Sequence, residues 1–374
     1  MSHPRRCYVH IGLQKTGTSF LQSVLWDSTE ALRAQGVELL PGSRDEAFRL
    51  MVALLRRRGG DDSRAARVLD ALRRQASASG AATLVITEES LSAADEAQVE
   101  ELTAALDGLE VHVVVTARDL ARQLPSVWQQ KVKAGRDFSF AQFVEDVLAR
   151  RPSARPFWAY QDLPAIVGRW AGAVPAERVH VVTVPQRGAA GPTLLDRFCS
   201  VIGVDAATLT VDAARSNARL GYAQADLLRR VNLLGDPDAR RGRGYERTLK
   251  FYLGDTVLAA QGGRPAQAPG TVRQWCIETA EQHIAALVDG GYHVVGSLQD
   301  LLPAADSFAL DEQVVAEAEV ADAAARALAQ MVADRDRDRA EIRRLRAELE
   351  ERTPAGAAST RAGRLRRVLQ RRGS

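Results

Sequence analysis

One segment near the N-terminus combines the residue types and the spacing of an anion-binding loop. Residues 10–22 read HIGLQKTGTSFLQ, so that two glycines, one lysine and three hydroxyl side chains fall between Gly12 and Ser19. The apolar residues 7–11 before this run predict a buried strand, and the apolar spacing after it predicts a helix. A Gly/Thr-rich turn between a strand and a helix points backbone N–H groups and the positive end of the helix dipole at one spot. The segment therefore predicts a site for phosphate or sulfate.

The position of the lysine indicates which anion suits this loop. Nucleoside-triphosphate loops follow the pattern G-x-x-x-x-G-K-[ST], in which the lysine reaches the outer phosphates. Gly12, Gly17 and Ser19 fall on that spacing. Thr18 occupies the lysine position, and the lysine of this loop is Lys15, which is placed beside the phosphate nearest the helix. The loop therefore favours a short phosphate ester over ATP.

A second candidate phosphate site follows another predicted strand. Residues 111–117 are rich in β-branched side chains and predict a central strand, which ends at Arg118. Ser126 follows eight residues after Arg118. An arginine fork with a neighbouring hydroxyl suits a phosphate. On its own, the pair is explained as well or better by an ion pair of Arg118 with a local carboxylate and a solvated Ser126.

Both segments resemble one enzyme family, the sulfotransferases that use PAPS (3′-phosphoadenosine 5′-phosphosulfate). Their 5′-phosphosulfate loop has the form K-[ST]-G-[ST]-[ST], which residues 15–19 match, and the surrounding run is most similar to the bacterial and carbohydrate-type branch. The family binds the 3′-phosphate with an arginine at a strand end and a serine further along, and Arg118 and Ser126 match that order. The resemblance covers roughly residues 7–300.

The resemblance implies a co-substrate, a product and a set of binding residues. PAPS is the expected co-substrate, PAP (3′-phosphoadenosine 5′-phosphate) is the expected product, and no metal is required. Lys15 is expected to act in catalysis, because a cation beside the leaving phosphate oxygen stabilises the negative charge that grows there. The residues that match the family's cofactor-binding positions are Gln14, Lys15, Thr16, Gly17, Thr18, Ser19, Arg118 and Ser126.

Two neighbouring carboxylates follow a third predicted strand, residues 82–87. Carboxylates at the C-terminal ends of parallel strands lie at the mouth where open α/β sheets bind ligands. In the carbohydrate-type sulfotransferases a glutamate in the corresponding region deprotonates the acceptor, and the family's pattern favours Glu89, with Glu88 as the reserve. The alternative is that these acids only begin the next helix, where the helix dipole favours negative charge.

Length, composition and charge limit the classes of protein to which this chain can belong. The chain has 374 residues, of which 46% are hydrophobic and 26% charged, enough for a full α/β core. A net charge of +3 gives no indication of nucleic-acid binding, and six histidines without ligand spacing predict no metal site. Three widely spaced cysteines predict reduced core thiols. The absence of a signal peptide and of any run near about 20 apolar residues predicts a cytoplasmic location.

Alternating strand and helix patterns predict an α/β fold with a mainly parallel central sheet covered by helices. The resemblance specifies this as the P-loop-like sulfotransferase fold and assigns it to residues 1–303. Residues 45–78 predict helices, while residues 235–244 and 261–270 predict loops that are candidates for a mobile lid. The predicted strands span residues 7–11, 82–87, 111–117 and 179–184.

The C-terminal part of the chain differs in composition from the rest. Residues 304–352 predict an extended charged helix. Its recurring apolar positions are mostly alanine, and this pattern is equally compatible with a coiled coil and with a solitary solvated helix. Residues 353–374 predict a flexible basic tail, a candidate for weak contact with anionic lipid or an acidic partner. Self-association through the helix is a further candidate. In the resembled family a segment after the last strand folds over the nucleotide, and Arg215 or Asn217 are candidates for that role.

Three functions remain open at this point. The first is transfer of a sulfuryl group from PAPS to an acceptor hydroxyl, with a carbohydrate or glycolipid favoured and another small molecule next. The second is a P-loop nucleotide kinase or NTPase, which Thr18 disfavours. The third is a non-catalytic scaffold with a sulfotransferase-like fold, which the presence of Lys15, Arg118 and Ser126 disfavours.

Overall fold

A computed structural model describes residues 4–57, 61–212, 219–236, 243–310 and 314–352 of the chain. The candidates Arg215 and Asn217 and the predicted tail 353–374 lie outside these residues. The chain divides into two compact units. The first comprises Met1–Asn217, Arg229–Asp236 and Pro265–Val314, and the second comprises Ala218–Leu228, Pro237–Arg264 and Val315–Ser374. The division predicted at residue 304 rests on composition and stays a prediction.

The first unit is built on a six-stranded sheet in which every neighbouring pair is parallel, so the predicted α/β class is confirmed. The strand order is β2-β3-β1-β4-β5-β6. The central strand β1 therefore lies between β3 and β4, and His10 at its end faces Thr87 on one side and Val114 on the other. The strands are β1 Arg6–His10, β2 Val37–Leu40, β3 Thr83–Thr87, β4 Glu110–Ala117, β5 Val179–Thr183 and β6 His293–Val295.

Helices connect these strands and cover both faces of the sheet. The α-helices are α1 Thr18–Asp27, α2 Thr29–Ala34, α3 Arg44–Leu54, α4 Asp62–Ala78, α5 Glu96–Ala105, α6 Leu120–Lys133, α7 Phe140–Leu148, α8 Arg155–Gln161, α9 Leu163–Ala171, α10 Leu194–Ile202, α11 Tyr222–Leu234, α12 Arg243–Tyr245, α13 Arg273–Asp289 and α14 Glu317–Arg352. A π-helix spans Glu246–Leu258. Short 3-10 helices span Glu89–Ala93, Pro152–Ala154, Ala176–Arg178, Ala206–Thr208, Ala259–Gln261, Gly270–Val272, Leu298–Leu301 and Ala305–Ser307. None of the described helices is long and apolar enough to cross a membrane.

The sheet is buried on both faces, as a parallel sheet between helices must be. In β4, Val113 and Val115 belong to one hydrophobic cluster, together with Trp170 of α9. Val114 points to the opposite face and belongs to a second cluster, with Phe198 of α10. Each fully buried side chain of this size stabilises the fold by about 1.5–3 kcal/mol relative to its exposed state. The continuous β-branched run of β4 is thus explained by burial on two sides.

Two strands were missed by the sequence analysis, which predicted only four. β2 and β6 form the two edges of the sheet and have four and three residues, respectively. Runs this short carry little periodicity, so only pairing with β3 and β5 identifies them as strands. The predicted helices over residues 45–78 are present as α3 and α4, and the extended C-terminal helix is present as α14.

The second unit packs the first half of α14 against the segment that contains the π-helix. Val320, Ala323 and Ala327 of α14 are buried. The hydroxyl of Tyr252 donates a hydrogen bond to Asp334 over 2.8 Å. Arg264 forms an ion pair with Glu319 at 3.0 Å, and its hydrogen bond lowers the pKa of Glu319 to about 2.

Candidate anion-binding site at the carboxyl edge of the sheet

The loop between β1 and α1 leaves the sheet as the sequence predicts. The amides of Ile11 and Leu13 still donate to carbonyls of β4, at 3.0 and 2.9 Å, so the chain follows the sheet for three residues beyond β1. It then turns sharply: Lys15 has a φ of 69° and Gly17 a φ of 92°. Glycine adopts such positive φ values freely, whereas lysine does so rarely. The tight turn therefore places an exposed lysine directly before the start of α1.

The N-terminus of α1 is arranged to receive a negative charge. Gly17 is the N-cap residue of this helix, and no described side chain caps it. The first N–H groups of an α-helix have no partner within the helix, and the helix dipole adds a partial positive charge there. Ser19 in the first turn is exposed, so its hydroxyl is accessible beside those N–H groups.

Two buried glutamine side chains donate hydrogen bonds to the backbone of the loop. The carbonyl of Gln14 accepts hydrogen bonds from the side-chain amides of Gln123, at 2.8 Å, and Gln161, at 3.0 Å. Gln123 also donates to the side-chain oxygen of Gln161 at 2.8 Å. The sequence analysis missed both residues, because single glutamines on amphipathic helices carry no motif. Their positions on α6 and α8 mean that two helices distant in sequence from the loop help to determine the shape of the turn.

Thr16 is part of the framework of the loop. Its hydroxyl donates to the carbonyl of Leu13 at 2.6 Å and lies 2.6 Å from the hydroxyl of Thr116 at the end of β4. A hydroxyl has one proton to donate, and here that proton is used within the loop. Since Thr16 is also buried, any contact with an anion would come from its backbone amide.

The two candidate carboxylates after β3 contact different groups. Glu89 accepts a hydrogen bond from the hydroxyl of Thr18, in the first turn of α1. Glu88 instead accepts from the amide of Ser90, at 3.2 Å, and so caps the 3-10 helix that follows. Burial, together with the adjacent negative charge of Glu89, raises the pKa of Glu88. Of the two, Glu89 is therefore the one in contact with the candidate anion-binding turn.

Arg118 and Ser126, the two residues predicted to share a phosphate site, are in contact with each other. The guanidinium of Arg118 donates to the hydroxyl of Ser126 at 3.0 Å and to the carbonyl of Arg122. The neighbouring carboxylate, Asp119, caps α6 by accepting from the amide of Arg122 at 2.9 Å and forms its ion pair with the side chain of Arg122. Arg118 thus lies at the end of β4 with its Nη2 shared between the hydroxyl of Ser126 and the carbonyl of Arg122, and that hydroxyl donates to the same carbonyl at 2.9 Å.

The three clusters meet because their strands are neighbours in the order β3-β1-β4. The contact of Thr18 with Glu89 joins the loop after β1 to the end of β3. The contact of Thr16 with Thr116 joins the same loop to the end of β4, two residues before Arg118. The connection that follows β1 runs towards β2, on one side of β1, whereas the connection that follows β4 runs towards β5, on the opposite side. Such switch points at the carboxyl edge are where open α/β sheets bind their ligands.

The donor set of this edge suits an anion. Backbone N–H groups, the Ser19 hydroxyl, Lys15 and Arg118 are its donors, and such groups bind phosphate or sulfate oxygens, while the carboxylate of Glu89 lies beside the turn. Within the described residues, no group of three or more His, Cys, Asp or Glu side chains could hold a metal ion.

Replacing Gly12 with alanine should destabilise the loop strongly. Gly12 has a φ of 38°, and an added Cβ would lie 2.3 Å from Cγ2 of Thr18 and 2.8 Å from Oγ1 of Thr116. Both neighbours are buried, so neither can move away easily. We expect a loss of roughly 2–4 kcal/mol in the free energy of unfolding, measured by urea denaturation.

Gly36→Ala is the matched control for this substitution. Gly36 has a φ of 74°, but an added Cβ there would have no neighbour within 4 Å. Its expected loss is about 1 kcal/mol, the conformational cost alone. Equal losses for the two variants would show that the space around Gly12 is not restrictive.

Comparison of this chain with models of protein families, with curated proteins and with solved structures found no match.

Proposed function

We propose that this chain is a PAPS-dependent sulfotransferase that transfers a sulfuryl group to an acceptor hydroxyl, with a carbohydrate or glycolipid favoured. One observation supports this above the others. Two candidate phosphate sites and a carboxylate lie at the same edge of the sheet, on three adjacent strands. The strand order, with β1 between β3 and β4 and a turn onto a helix after β1, is compatible with the P-loop-like sulfotransferase fold.

Each group at this edge has a role in binding the donor. The turn of residues 15–19, with the N–H groups of α1, including that of Thr18, and the hydroxyl of Ser19, would hold the 5′-phosphosulfate. Arg118 and Ser126 would hold the 3′-phosphate, because a guanidinium donates two parallel hydrogen bonds to phosphate oxygens. Bound there, PAPS supplies an activated sulfuryl group.

Two side chains of this protein, Lys15 and Glu89, then stabilise the developing charge and accept the proton of the acceptor. Lys15 compensates the negative charge that grows on the phosphate oxygen as the bond from that oxygen to sulfur breaks. Glu89 accepts the proton of the acceptor hydroxyl as the new bond from the acceptor oxygen to sulfur forms, so that PAP and a sulfate ester are the products. The hydrogen bond from Thr18 holds the carboxylate of Glu89 beside the turn.

Nucleotide binding tests this proposal directly. PAP, ADP and ATP would be titrated into the wild-type protein and into Arg118→Ala, for example by calorimetry. We expect PAP to bind most tightly and Arg118→Ala to weaken PAP binding by about 10–100-fold, the effect of losing hydrogen bonds to a charged group. ADP has no 3′-phosphate, so its affinity should stay the same in both proteins.

Arg44→Ala is the control for loss of an arginine. Arg44 pairs with Asp27 at 3.0 Å on the surface of the same unit and is half exposed. This variant should bind PAP as the wild type does. A preference for ATP would favour the P-loop kinase or NTPase, and equal weakening of PAP and ADP by Arg118→Ala would exclude a 3′-phosphate site at Arg118. Binding of PAP, combined with no sulfuryl transfer from PAPS to any acceptor, would favour the scaffold.

Several finer statements are part of the same proposal. The location is expected to be cytoplasmic, and a nucleic-acid partner is not expected. Weak contact of the basic tail with anionic lipid remains a proposal. The coiled-coil interpretation of α14 is also a proposal, as is self-association of two copies of the chain through this helix.

A further inference from the structure

Three histidines and a glutamate form a row across β4, β5 and β6, towards the amino ends of these strands. His112 and Glu110 belong to β4, His180 to β5, and His293 is the first residue of β6. Nδ1 of His112 lies 2.9 Å from Nε2 of His180, and Nδ1 of His180 lies 2.7 Å from Nδ1 of His293. Nε2 of His112 lies 2.8 Å from a carboxylate oxygen of Glu110. We call these four residues the histidine row.

The middle of the row is buried and its last ring is open to solvent. His180 is 8% exposed and His112 is partly buried, whereas His293 is exposed. His180 uses a different ring nitrogen towards each of its neighbours. The three rings therefore do not converge on one point, as the ligands of a metal ion do. The row is a chain of hydrogen bonds that links the edge strand β6 to the interior of the sheet.

Counting protons determines the tautomer of each ring in the row. A neutral imidazole donates from one nitrogen and accepts at the other, and a carboxylate only accepts. Glu110 therefore receives the Nε2–H of His112, whose Nδ1 must accept the Nε2–H of His180. Nδ1 of His180 must in turn accept the Nδ1–H of His293. This order leaves Nε2 of His293 as an acceptor at the exposed end.

The groups around the row keep Glu110 charged. The hydrogen bond from His112 lowers the pKa of Glu110, and two guanidinium groups add to this effect. They belong to Arg6 of β1, at 3.4 Å, and to Arg178, which directly precedes β5, at 3.5 Å. Tyr8 of β1 also packs on the row, with its ring centroid 4.8 Å from that of His112, and burial raises its pKa. The row thus begins at an anion, which fixes its direction.

This arrangement accommodates one additional proton but not two. A proton on Nε2 of His293 leaves every bond of the row intact, because none of these bonds uses that atom. A second proton would place two protons between one pair of ring nitrogens and break a bond. Burial, together with the neighbouring rings of His112 and His293, lowers the pKa of His180 from its ordinary value of 6.5 to about 4. The intact row therefore resists protonation at its centre.

Release of β6 would remove this restriction. β6 has three residues and lies at the edge of the sheet next to β5, where His293 is directly opposite His180. Once β6 has left, Nδ1 of His180 would face water and take up a proton near its ordinary pKa. The released state therefore binds a proton more tightly than the held state, so a fall in pH below about 6.5 favours release.

We propose that the histidine row is a pH-sensitive latch, which holds β6 on β5 near neutral pH and releases it under mildly acidic conditions. The chain beyond β6 is held separately, because Asp300 accepts hydrogen bonds from Thr183 at 2.8 Å and from Arg197 at 2.6 Å. These bonds use no histidine, so the release is confined to the edge strand. The proposal does not depend on the proposed activity, because it rests only on the contacts of the row.

Hydrogen exchange of the full chain tests the latch, with β6 followed by mass spectrometry and corrected for the intrinsic pH dependence of exchange. Between about pH 7.5 and pH 5, we expect the opening of β6 to become roughly 10–100-fold more frequent, as linkage to the two pKa values of His180 requires. β2, the other edge strand of the sheet, contains no histidine and should open equally at both pH values. A β6 that is no more sensitive to pH than β2 would overturn the proposal.

His180→Gln tests whether the row is the source of the pH dependence. The amide of glutamine can donate to one neighbour and accept from the other, but it does not titrate, so β6 should open equally at both pH values. His283→Gln is the matched control, because burial lowers the pKa of His283 to about 4 as well, yet this residue lies on α13 outside the row. It should keep the wild-type behaviour of β6. Retained pH dependence in His180→Gln, or its loss in His283→Gln, would overturn the proposal.

Heteronuclear NMR of the wild-type protein, labelled at its histidine nitrogens, tests the order of protons without any substitution. The nitrogen shifts distinguish a protonated ring nitrogen from an unprotonated one, which the positions of the heavy atoms alone do not. At neutral pH, His112 and His180 should carry their proton on Nε2 and His293 on Nδ1. The opposite tautomer at His180 would contradict the row and overturn the proposal, even if His180→Gln failed to fold.

Discussion

Replacing Lys15 with alanine should lower the turnover of sulfuryl transfer by about 10²–10³-fold, the effect of removing one group that stabilises an oxyanion. Lys15 lies in the turn directly before α1, next to the N–H groups that would hold the 5′-phosphosulfate. Negative charge on the leaving oxygen is larger in the transition state than in the bound donor, so loss of the ammonium should lower turnover more than it weakens the binding of PAPS. Steady-state kinetics and a titration with PAPS in the absence of an acceptor measure the two effects separately.

The left-handed backbone of Lys15 allows charge to be separated from conformation. Lys15→Gly removes the ammonium and suits the φ of 69°, whereas Lys15→Ala removes it and keeps a strained conformation. If the charge is responsible, both variants should lose turnover equally. Alanine should be less stable than glycine at this position by about 1 kcal/mol.

Lys15→Arg completes the series, because it retains a cation with a different shape. It should keep part of the turnover that alanine and glycine lose. Wild-type turnover in Lys15→Gly would remove Lys15 from the chemistry. Reduced turnover in Lys15→Ala alone would assign the effect to the shape of the loop.

The sequence predicted the centre of the fold better than its edges. β1, β3, β4 and β5 are largely buried and long enough to stand out from the surrounding residues, and β3, β4 and β5 are also rich in β-branched side chains, so each was identified. β2 and β6 are defined by pairing with a neighbour, which a local pattern does not encode. The candidate site could be assembled from sequence because its groups follow the strands that were recognised.

The roles of individual side chains at the site were less predictable. Thr16 matches the loop motif, yet its hydroxyl is used in contacts with Leu13 and Thr116. The glutamines that hold the carbonyl of Gln14 are distant in sequence and reach it from two different helices. These features depend on tertiary geometry, which determines what each hydrogen-bonding group can reach. A sequence motif specifies residue types, but it does not show which side chains support the shape of the loop and which are available to bind a ligand.

The choice between Glu89 and Glu88 as the base leads to a second test with a large expected effect. Glu89→Gln should lower turnover by about 10²–10⁴-fold, because glutamine keeps the size of the side chain and an acceptor for Thr18 but cannot take a proton. Glu88→Gln should change turnover by only a few-fold, since Glu88 caps the amide of Ser90, which glutamine can also do.

The pH dependence of kcat/KM identifies the base independently of the size of the rate loss. A carboxylate base is inactive when protonated, so activity should fall as the pH drops through its pKa, and Glu89→Gln should abolish this acid limb. Because burial raises the pKa of Glu88, an acid limb due to Glu88 would lie at a higher pH than that of an ordinary carboxylate. Loss of the limb in Glu88→Gln would assign the base to Glu88.

Stability measurements separate a structural role of Glu88 from a chemical one. Its raised pKa means that the folded protein binds a proton there more tightly than the unfolded chain does. The resulting stabilisation is present below the unfolded pKa of the group and is lost as the pH rises through the raised pKa. At neutral pH, Glu88→Gln should therefore unfold at the same or a higher urea concentration than the wild type. A clear loss of stability would show that the charged carboxylate supports the fold, and any loss of activity would then follow from displacement of Glu89 at the end of β3.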